Sequence, residues 1–249
     1  MIIDTHAHIY KSEMENADEI IREAAKRDIH IVLNGTDPSS NLEVLEAADR
    51  HDNVHAALGY LYSYADEFTD EDIAVLDSQL ENTNVVGVGE IGLDYYYRKD
   101  NRDRQKELFE KMLVLGEKHD LPVIVHSRKS MQDCYDILRR HDVSGSMHCY
   151  NGSAEMAVEF IKLGFYIGIA GPITHKNNKK VRKTVNSIDI SHMLVETDSP
   201  YLTPEEKRGE VNTSLNIKYI IGKIAWELDM PEDEVILITT QNAKKLFAI

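Results

Sequence analysis

One short stretch of the sequence contains the unit from which the fold is built: Ile29-His30-Ile31-Val32-Leu33-Asn34-Gly35-Thr36-Asp37-Pro38. Its first six residues form an apolar run of the kind found in β-strands. Asp37 is a preferred residue at the N-cap of a helix, and proline is favoured at the first helical position. The stretch therefore predicts a strand over 29–34, followed by a helix that continues to about residue 51.

The same strand–helix unit recurs along the chain in both directions. Eight strands that alternate with helices predict a parallel sheet covered on both faces, and their number favours a closed barrel over an open, doubly wound sheet. We therefore predict an α/β protein that is a single (β/α)8 TIM barrel, residues 1–249, with an extra C-terminal helix. The other predicted strands are at 4–8, 54–59, 85–90, 121–126, 147–149, 165–169 and 193–197, and the other predicted helices at 14–27, 70–82, 101–119, 130–141, 153–163, 176–187, 214–228 and 232–247.

Composition narrows the class of protein. The 249 residues are 42% hydrophobic and 29% charged, as in an ordinary soluble globular protein. The chain has neither a long apolar run nor a secretory signal, so we expect a cytoplasmic protein. Cys134 and Cys149 are too few for a disulfide framework and are expected to be reduced core thiols. A formal net charge of −15 argues against a broad cationic nucleic-acid surface but leaves room for a nucleic-acid enzyme with a local basic patch.

Metal-ligand residue types recur at the ends of the predicted strands. In Asp4-Thr5-His6-Ala7-His8, alternation places Asp4, His6 and His8 on one face of the first strand. The active site of such a barrel lies at the carboxyl ends of the strands, so residues at those ends are expected to converge. The residues that end the fourth, fifth, sixth and eighth strands are Glu90, His126, His148 and Asp198.

This set of imidazoles and carboxylates matches the needs of two divalent ions such as zinc, manganese or magnesium. Glu90 is central enough to bridge the ions, which would activate a water as a nucleophile and polarise the bond under attack. Asp198 is placed to accept and pass on the proton. The sequence thus predicts a two-metal hydrolase with catalytic roles for Glu90 and Asp198.

Each of these residues also has an ordinary structural interpretation. His126 fits the cap of a strand, and His148 fits a hydrogen-bonded core histidine. Glu90 fits an ion pair with Arg98 or Arg128, and Asp198 fits a turn. For any one residue the structural interpretation is favoured. For the whole set, that interpretation requires metal-ligand residue types to occur at five strand ends by chance.

Several neighbours of these residues have predicted supporting roles. Asp4 is expected to lie beneath the metal and to fix the tautomer of a histidine. Glu196 lies deeper than Asp198 on the same face and is expected to be a buried structural carboxylate. Alternation turns Cys149 away from the site, which predicts core packing.

Two further surface features have open interpretations. Tyr95, Tyr96 and Tyr97 fit either base stacking at the rim of the site or core packing under a helix. The most basic run fits either a phosphate-contacting rim or a solvated helix surface. This run contains Lys176, Lys179, Lys180, Arg182 and Lys183.

Over nearly its whole length the chain resembles the TatD family of metal-dependent hydrolases. The resembling stretches are Asp4–His8, Gly89-Glu90-Ile91-Gly92-Leu93-Asp94-Tyr95-Tyr96, His126-Ser127-Arg128, His148-Cys149-Tyr150, Glu196-Thr197-Asp198-Ser199-Pro200-Tyr201-Leu202-Thr203-Pro204, Arg208-Gly209, Gln241-Asn242-Ala243 and Leu246-Phe247. The resemblance implies that His6, His8 and Asp198 hold one metal, that His126 and His148 hold the other, and that Glu90 touches both.

The resemblance also implies a deoxyribonuclease that cleaves phosphodiester bonds, often as a 3′ to 5′ exonuclease on single-stranded DNA ends. A related branch deacylates D-aminoacyl-tRNA, which makes an ester or amide the alternative substrate. We expect a nucleic-acid partner, no membrane and no obligate protein partner. A binding protein with a vestigial site is the non-enzymatic alternative, which the complete ligand set disfavours.

Two stretches depart from the family pattern. Leu61 stands where the family usually has a histidine, and Asn212-Thr213-Ser214 replaces an asparagine-x-proline element. Neither affects the six metal residues. Both bear on the identity of the substrate.

Overall fold

Eight parallel strands lie side by side in the order in which they occur in the chain. The computed structural model describes residues 1–249. The barrel closes where Ala7 bridges Ser199 and the His8 amide donates to the Ser199 carbonyl at 2.6 Å. The strands β1 to β8 span Ile2–Ala7, Ile29–Asn34, Val54–Leu58, Val85–Asp94, Val123–Arg128, Gly145–Met147, Phe165–Ile169 and Met193–Val195.

Helices alternate with these strands and a ninth helix follows them, so the predicted barrel with its extra C-terminal helix is confirmed. The helices α1 to α9 span Ala17–Ala25, Pro38–Arg50, Asp70–Gln79, Arg102–His119, Met131–Leu138, Ala154–Lys162, Lys179–Val185, Ile217–Leu228 and Glu232–Phe247. The predicted N-cap of α2 is present, since Asp37 Oδ1 accepts hydrogen bonds from the amides of Ser39 and Ser40. None of the nine helices combines the length and apolar character needed to cross a lipid bilayer.

The last helix, α9, packs against the barrel interior at the amino-terminal ends of the strands. One residue from each of six strands packs against α9, which also bonds to the chain near the starts of β1 and β8, through Thr240 to Met1 and through Asn242 to Met193. The amino-terminal end of the barrel is therefore covered, and its carboxyl end is left open. This inner cluster consists of Ile3, Val32, Ala57, Val86, Ile124, Leu194, Ala243, Leu246 and Phe247.

Strand β4 is longer than the sequence predicted. It continues four residues beyond Glu90 and pairs with β5 as far as Asp94 and Arg128. Gln105 of α4 holds the strand end, because its side-chain oxygen accepts the Asp94 amide at 2.9 Å and its side-chain nitrogen donates to the Asp94 carbonyl at 3.1 Å. Glu90 thus lies within β4, where both neighbouring strands limit its movement.

Candidate metal centre

All six predicted ligand residues come together at the open end of the barrel. Three belong to β1, β4 and β5, and three lie in the loops that follow β1, β6 and β8. Their ligand atoms fall into three overlapping groups, and within each group the atoms lie within 4.8 Å of one another. The groups are His6, His8 and Glu90; His6, His148 and Asp198; and Glu90, His126 and His148.

The first of these sites has the spacing of a metal-coordination shell. His6 Nε2 lies 3.0 Å from His8 Nε2 and 3.4 Å from Asp198 Oδ1. His8 Nε2 lies 3.2 Å from Glu90 Oε2. Ligands about 2.0–2.2 Å from a tetrahedral ion are themselves about 3.3–3.6 Å apart. These four side chains therefore fit a divalent ion between them.

Glu90 directs its two oxygens to different pairs of histidines. Oε2 lies 3.6 Å from His6 Nε2 and 3.2 Å from His8 Nε2. Oε1 lies 3.0 Å from His126 Nδ1 and 3.7 Å from His148 Nε2. A carboxylate in this position can bridge two ions. The ion pair with Arg98 or Arg128 does not occur, and Arg98 instead pairs with Asp66.

Two of the rings are oriented by acceptors that the sequence prediction missed. His8 Nδ1 lies 2.9 Å from the backbone carbonyl of Asn34, and His126 Nε2 lies 3.2 Å from Asp94 Oδ2. Since each acceptor takes the proton of the ring nitrogen that faces it, the other nitrogen of the neutral ring has its lone pair free for an ion beside Glu90. Metal-binding histidines are typically held in this way. Alternation from Glu90 along a longer β4 indicates Asp94, whereas a backbone acceptor leaves no mark in the sequence.

His148 has a carboxylate behind it as well. Its Nδ1 lies 3.2 Å from Oε1 of Glu196, and the same oxygen accepts the amide of Cys149. Glu196 is fully buried, as expected for a structural carboxylate. The expected core packing of Cys149 is wrong, because its backbone has φ of 42° and the residue lines the cavity of the site. The left-handed residue breaks the alternation on which that prediction rested.

Asp4 does not orient a histidine, so that expectation is wrong. Its carboxylate accepts the Thr197 amide at 2.8 Å, the Thr197 hydroxyl at 2.6 Å and the Ser214 hydroxyl at 2.5 Å. Burial raises the pKa of Asp4 to about 6 despite these donors. Asp4 thus ties β1 to Thr197, in the segment just before Asp198.

The electrostatics of the site favour a bound positive charge. Burial by itself lowers the pKa of His6, but the carboxylates of Asp198 and Glu90 outweigh it and raise that pKa to about 10. Burial also lowers the pKa of His126 by itself, but Asp94 and Glu90 outweigh it and raise that pKa to about 9. Burial favours the neutral form of Glu90, yet the histidines hold its pKa well below the usual value. The carboxylates therefore stabilise a cation here, whether a proton or a divalent ion carries the charge.

Residues 3–248 match the model of the TatD related DNase family. The chain belongs to the TatD family. A Bacillus subtilis relative, named as the uncharacterized metal-dependent hydrolase YabD, is 38% identical over 254 residues, with 100% of both chains covered. Escherichia coli YcfH, which has the same description, is 32% identical over 100% of this chain and 96% of its own. The crystal structure of the E. coli TatD homologue YjjV superposes with a TM-score of 0.93 at 29% identity, covering 100% of this chain and 98% of the other. The chain is accordingly a metal-dependent hydrolase.

A cavity of about 720 Å³ lies above the ligands of this TatD-family barrel. Its lining includes Glu90 and Asp198 together with apolar residues from two sides of the barrel. Tyr62 stands over the metal site, with its ring centroid 5.3 Å from that of His126. The cavity is large enough for a substrate of several ring systems. The apolar lining residues are Leu61, which follows β3, and Ala170, Pro172, Val181 and Leu202, which follow β7 and β8.

Each of the two interpretations of the three consecutive tyrosines applies to part of the run. Tyr95 is buried and donates to Asp133 at 2.7 Å, as a core residue does. Tyr96 and Tyr97 are 51% and 63% exposed. The guanidinium of Arg128 lies over both rings, 4.2 and 4.6 Å from their centroids. Only the last two tyrosines thus belong to the rim.

The basic run also contains two kinds of residue, those with a partner and those without one. Arg182 donates to the carbonyls of His175 and Lys176, both at 2.8 Å, which makes it a structural residue of the loop before α7. Lys183 pairs with Glu155 at 2.9 Å. The other three lysines are exposed and have no carboxylate within 4 Å, and they lie between Pro172 and Val181 of the cavity wall. These unpaired cations are Lys176, Lys179 and Lys180.

Proposed function

We propose that this hydrolase is a deoxyribonuclease that cleaves phosphodiester bonds at single-stranded DNA ends in the 3′ to 5′ direction, with two divalent ions drawn from zinc, manganese and magnesium. The observation that carries the proposal is the division of Glu90 between two histidine pairs at the floor of the cavity. Two-metal sites are typical of nucleases and phosphatases, because a phosphodiester offers oxygens to both ions.

The residues would divide the work as follows. His6, His8 and Asp198 would hold one ion, His126 and His148 the other, and Glu90 both. Bound ions of this kind supply Lewis acidity and lower the pKa of a water molecule. Burial raises the pKa of Asp198 but His148 and His6 outweigh it, so the carboxylate is ionised and able to accept a proton from that water.

A metal-restoration assay tests the proposal. Protein freed of metal by a chelator is incubated with single-stranded DNA labelled at either end, and each ion is restored in turn. We expect stepwise shortening from the 3′ end only after an ion is added. His6→Ala and Glu90→Gln should remove this activity, whereas His192→Ala, far from the six ligands, should retain it. Unchanged cleavage by either site variant, or cleavage in chelator, would rule the proposal out.

A second candidate, hydrolysis of an ester or amide such as a D-aminoacyl-tRNA, is favoured by one observation. The apolar residues Pro172 and Val181 on one side of the cavity and Leu61 on the other match an apolar acyl group. Parallel assays on single-stranded DNA, D-aminoacyl-tRNA and simple lactones separate the two. Deacylation without DNA cleavage would replace the first proposal, and DNA cleavage alone would remove the second.

A further inference from the structure

Arg128 is the single arginine or lysine among the residues that line the cavity. Nine of the eleven arginines of the chain form an ion pair with a carboxylate within 4 Å. Arg128 and Arg102 do not. A protein with a net charge of −15 has carboxylates to spare, so an unpaired guanidinium inside its catalytic cavity is available to an anion from outside.

The strand sets the height of Arg128 above the metal ligands. Ile124, His126 and Arg128 alternate along β5 on the face that points into the barrel. Two residues of a strand span about 6.6 Å, so Arg128 begins one step farther out than His126. It therefore lies beside the reacting centre and not at it.

Neighbouring residues hold the guanidinium in place. Its stacking on Tyr96 and Tyr97 limits its rotation, and both rings are held from below. Asp94 Oδ1 accepts the amide of Tyr96 at 2.7 Å and that of Tyr97 at 2.9 Å. The same carboxylate contacts His126. The arginine and the metal ligand thus share one support.

We propose that Arg128 binds a second phosphate of the substrate, adjacent to the phosphodiester that is cleaved. This inference rests on the proposed function. A guanidinium offers up to five N–H donors in a planar fork that matches two phosphate oxygens, and stacking on two rings leaves its edge free for them. Arg128 would then act as a specificity residue that favours a nucleotide chain over a simple diester.

Two matched probes test the inference. They are the dinucleoside phosphate TpT and the same compound with a 5′-phosphate, pTpT, in which the second phosphate lies on the 5′ side of the bond that a 3′ to 5′ exonuclease cleaves. We expect the metal-loaded protein to have a lower KM, by about ten- to a hundredfold, for the 5′-phosphorylated probe, since a charged hydrogen-bond pair contributes about that much. Arg128→Gln should bring the two KM values together.

Arg102→Gln is the matched control. Arg102 is also exposed, unpaired and stacked on a tyrosine, with its guanidinium 4.4 Å from the centroid of Tyr95, but it does not line the cavity. This variant should keep the wild-type preference. A preference that survives Arg128→Gln, or equal KM values in the wild type, would overturn the inference.

Binding to metal-free protein, measured by calorimetry, separates this inference from the proposed function. If no ion supports hydrolysis of either probe, the proposed function fails. Arg128 is then judged by binding alone. Tighter binding of the 5′-phosphorylated probe that is lost in Arg128→Gln supports it, and equal binding of both probes contradicts it.

Discussion

The Asp94 carboxylate serves two neighbours with its two oxygens. Oδ1 accepts the amides of Tyr96 and Tyr97, and Oδ2 contacts His126 Nε2 at 3.2 Å. Burial raises the pKa of Asp94, but His126 and the two amides outweigh it and lower that pKa. The residue therefore stays ionised and keeps the Nδ1 lone pair of His126 directed at the metal site.

Replacing this carboxylate by an amide should weaken the binding of one ion and leave the binding of the other unchanged. In Asp94→Asn the side-chain oxygen can still accept the two amides, so the NH2 group is left to face His126 and favours the tautomer that protonates Nδ1. We expect affinity for the ion at His126 and His148 to fall by about 10- to 100-fold. Metal titration followed by calorimetry would measure this. Asp133→Asn, which alters an acid bonded to Tyr95, is the control, and equal affinities in the two variants would contradict the role assigned to Asp94.

At the scale of elements, sequence predicted the order of strands and helices but not all of their ends. Apolar runs and helix spacing are local properties, so the alternation could be read directly. The end of β4 depends on pairing with β5 and on Gln105, which is eleven residues beyond Asp94. Five of the six ligand residues lie at or near a strand end, where sequence predicted them, and Glu90 lies inside β4, which is longer than predicted. The acceptors that orient the histidine rings were not predictable, because two of them depend on which residues the closed barrel brings together.

Strands β2 and β3 carry a histidine pair far from the metal ligands. His30 Nδ1 lies 3.1 Å from His55 Nε2, and the rings stack with centroids 5.4 Å apart. Burial and the neighbouring His30 lower the pKa of His55 to about 4. Burial also lowers the pKa of His30. Both rings are therefore neutral in the folded protein at neutral pH.

This pair should make the protein sensitive to acid. An unfolded histidine takes up its proton near pH 6.5, whereas His55 in the fold resists protonation until about pH 4. The free energy of unfolding should therefore fall as the pH drops from about 6.5 towards 4, and the pair should have no effect above that range. Urea unfolding across this range would show it. His55→Asn should give a shallower decline, and an identical slope in both proteins would contradict the account.

At the scale of the whole molecule, negative charge limits how a polyanion can bind. The unpaired cations at or beside the cavity are Arg128, Lys176, Lys179 and Lys180, together with Lys11 and Lys129, which adjoin the lining residues Tyr10 and Arg128. The chain as a whole has a net charge of −15. A bound single strand should therefore be held at its end, by few phosphate contacts, and not along its length.

Salt dependence of DNA binding measures the number of those contacts. Each neutralised phosphate of a single strand contributes about −0.7 to the slope of log affinity against log salt, so six cations allow a slope no steeper than about −4. Fluorescence anisotropy with a labelled oligothymidine and metal-free protein would give this slope. Replacing Lys176, Lys179 and Lys180 by glutamine should reduce it. A slope near −6 would require a cationic surface that the structure does not have.

The proposed function requires that six residues from five strands and the loops after them form one site for two ions. The most direct test is to titrate metal-free protein with Mn²⁺ while bound ions are counted by mass spectrometry and cleavage of single-stranded DNA is followed. We predict that activity rises from zero and reaches its plateau at two ions per chain. Full activity with one ion or none would contradict the claim.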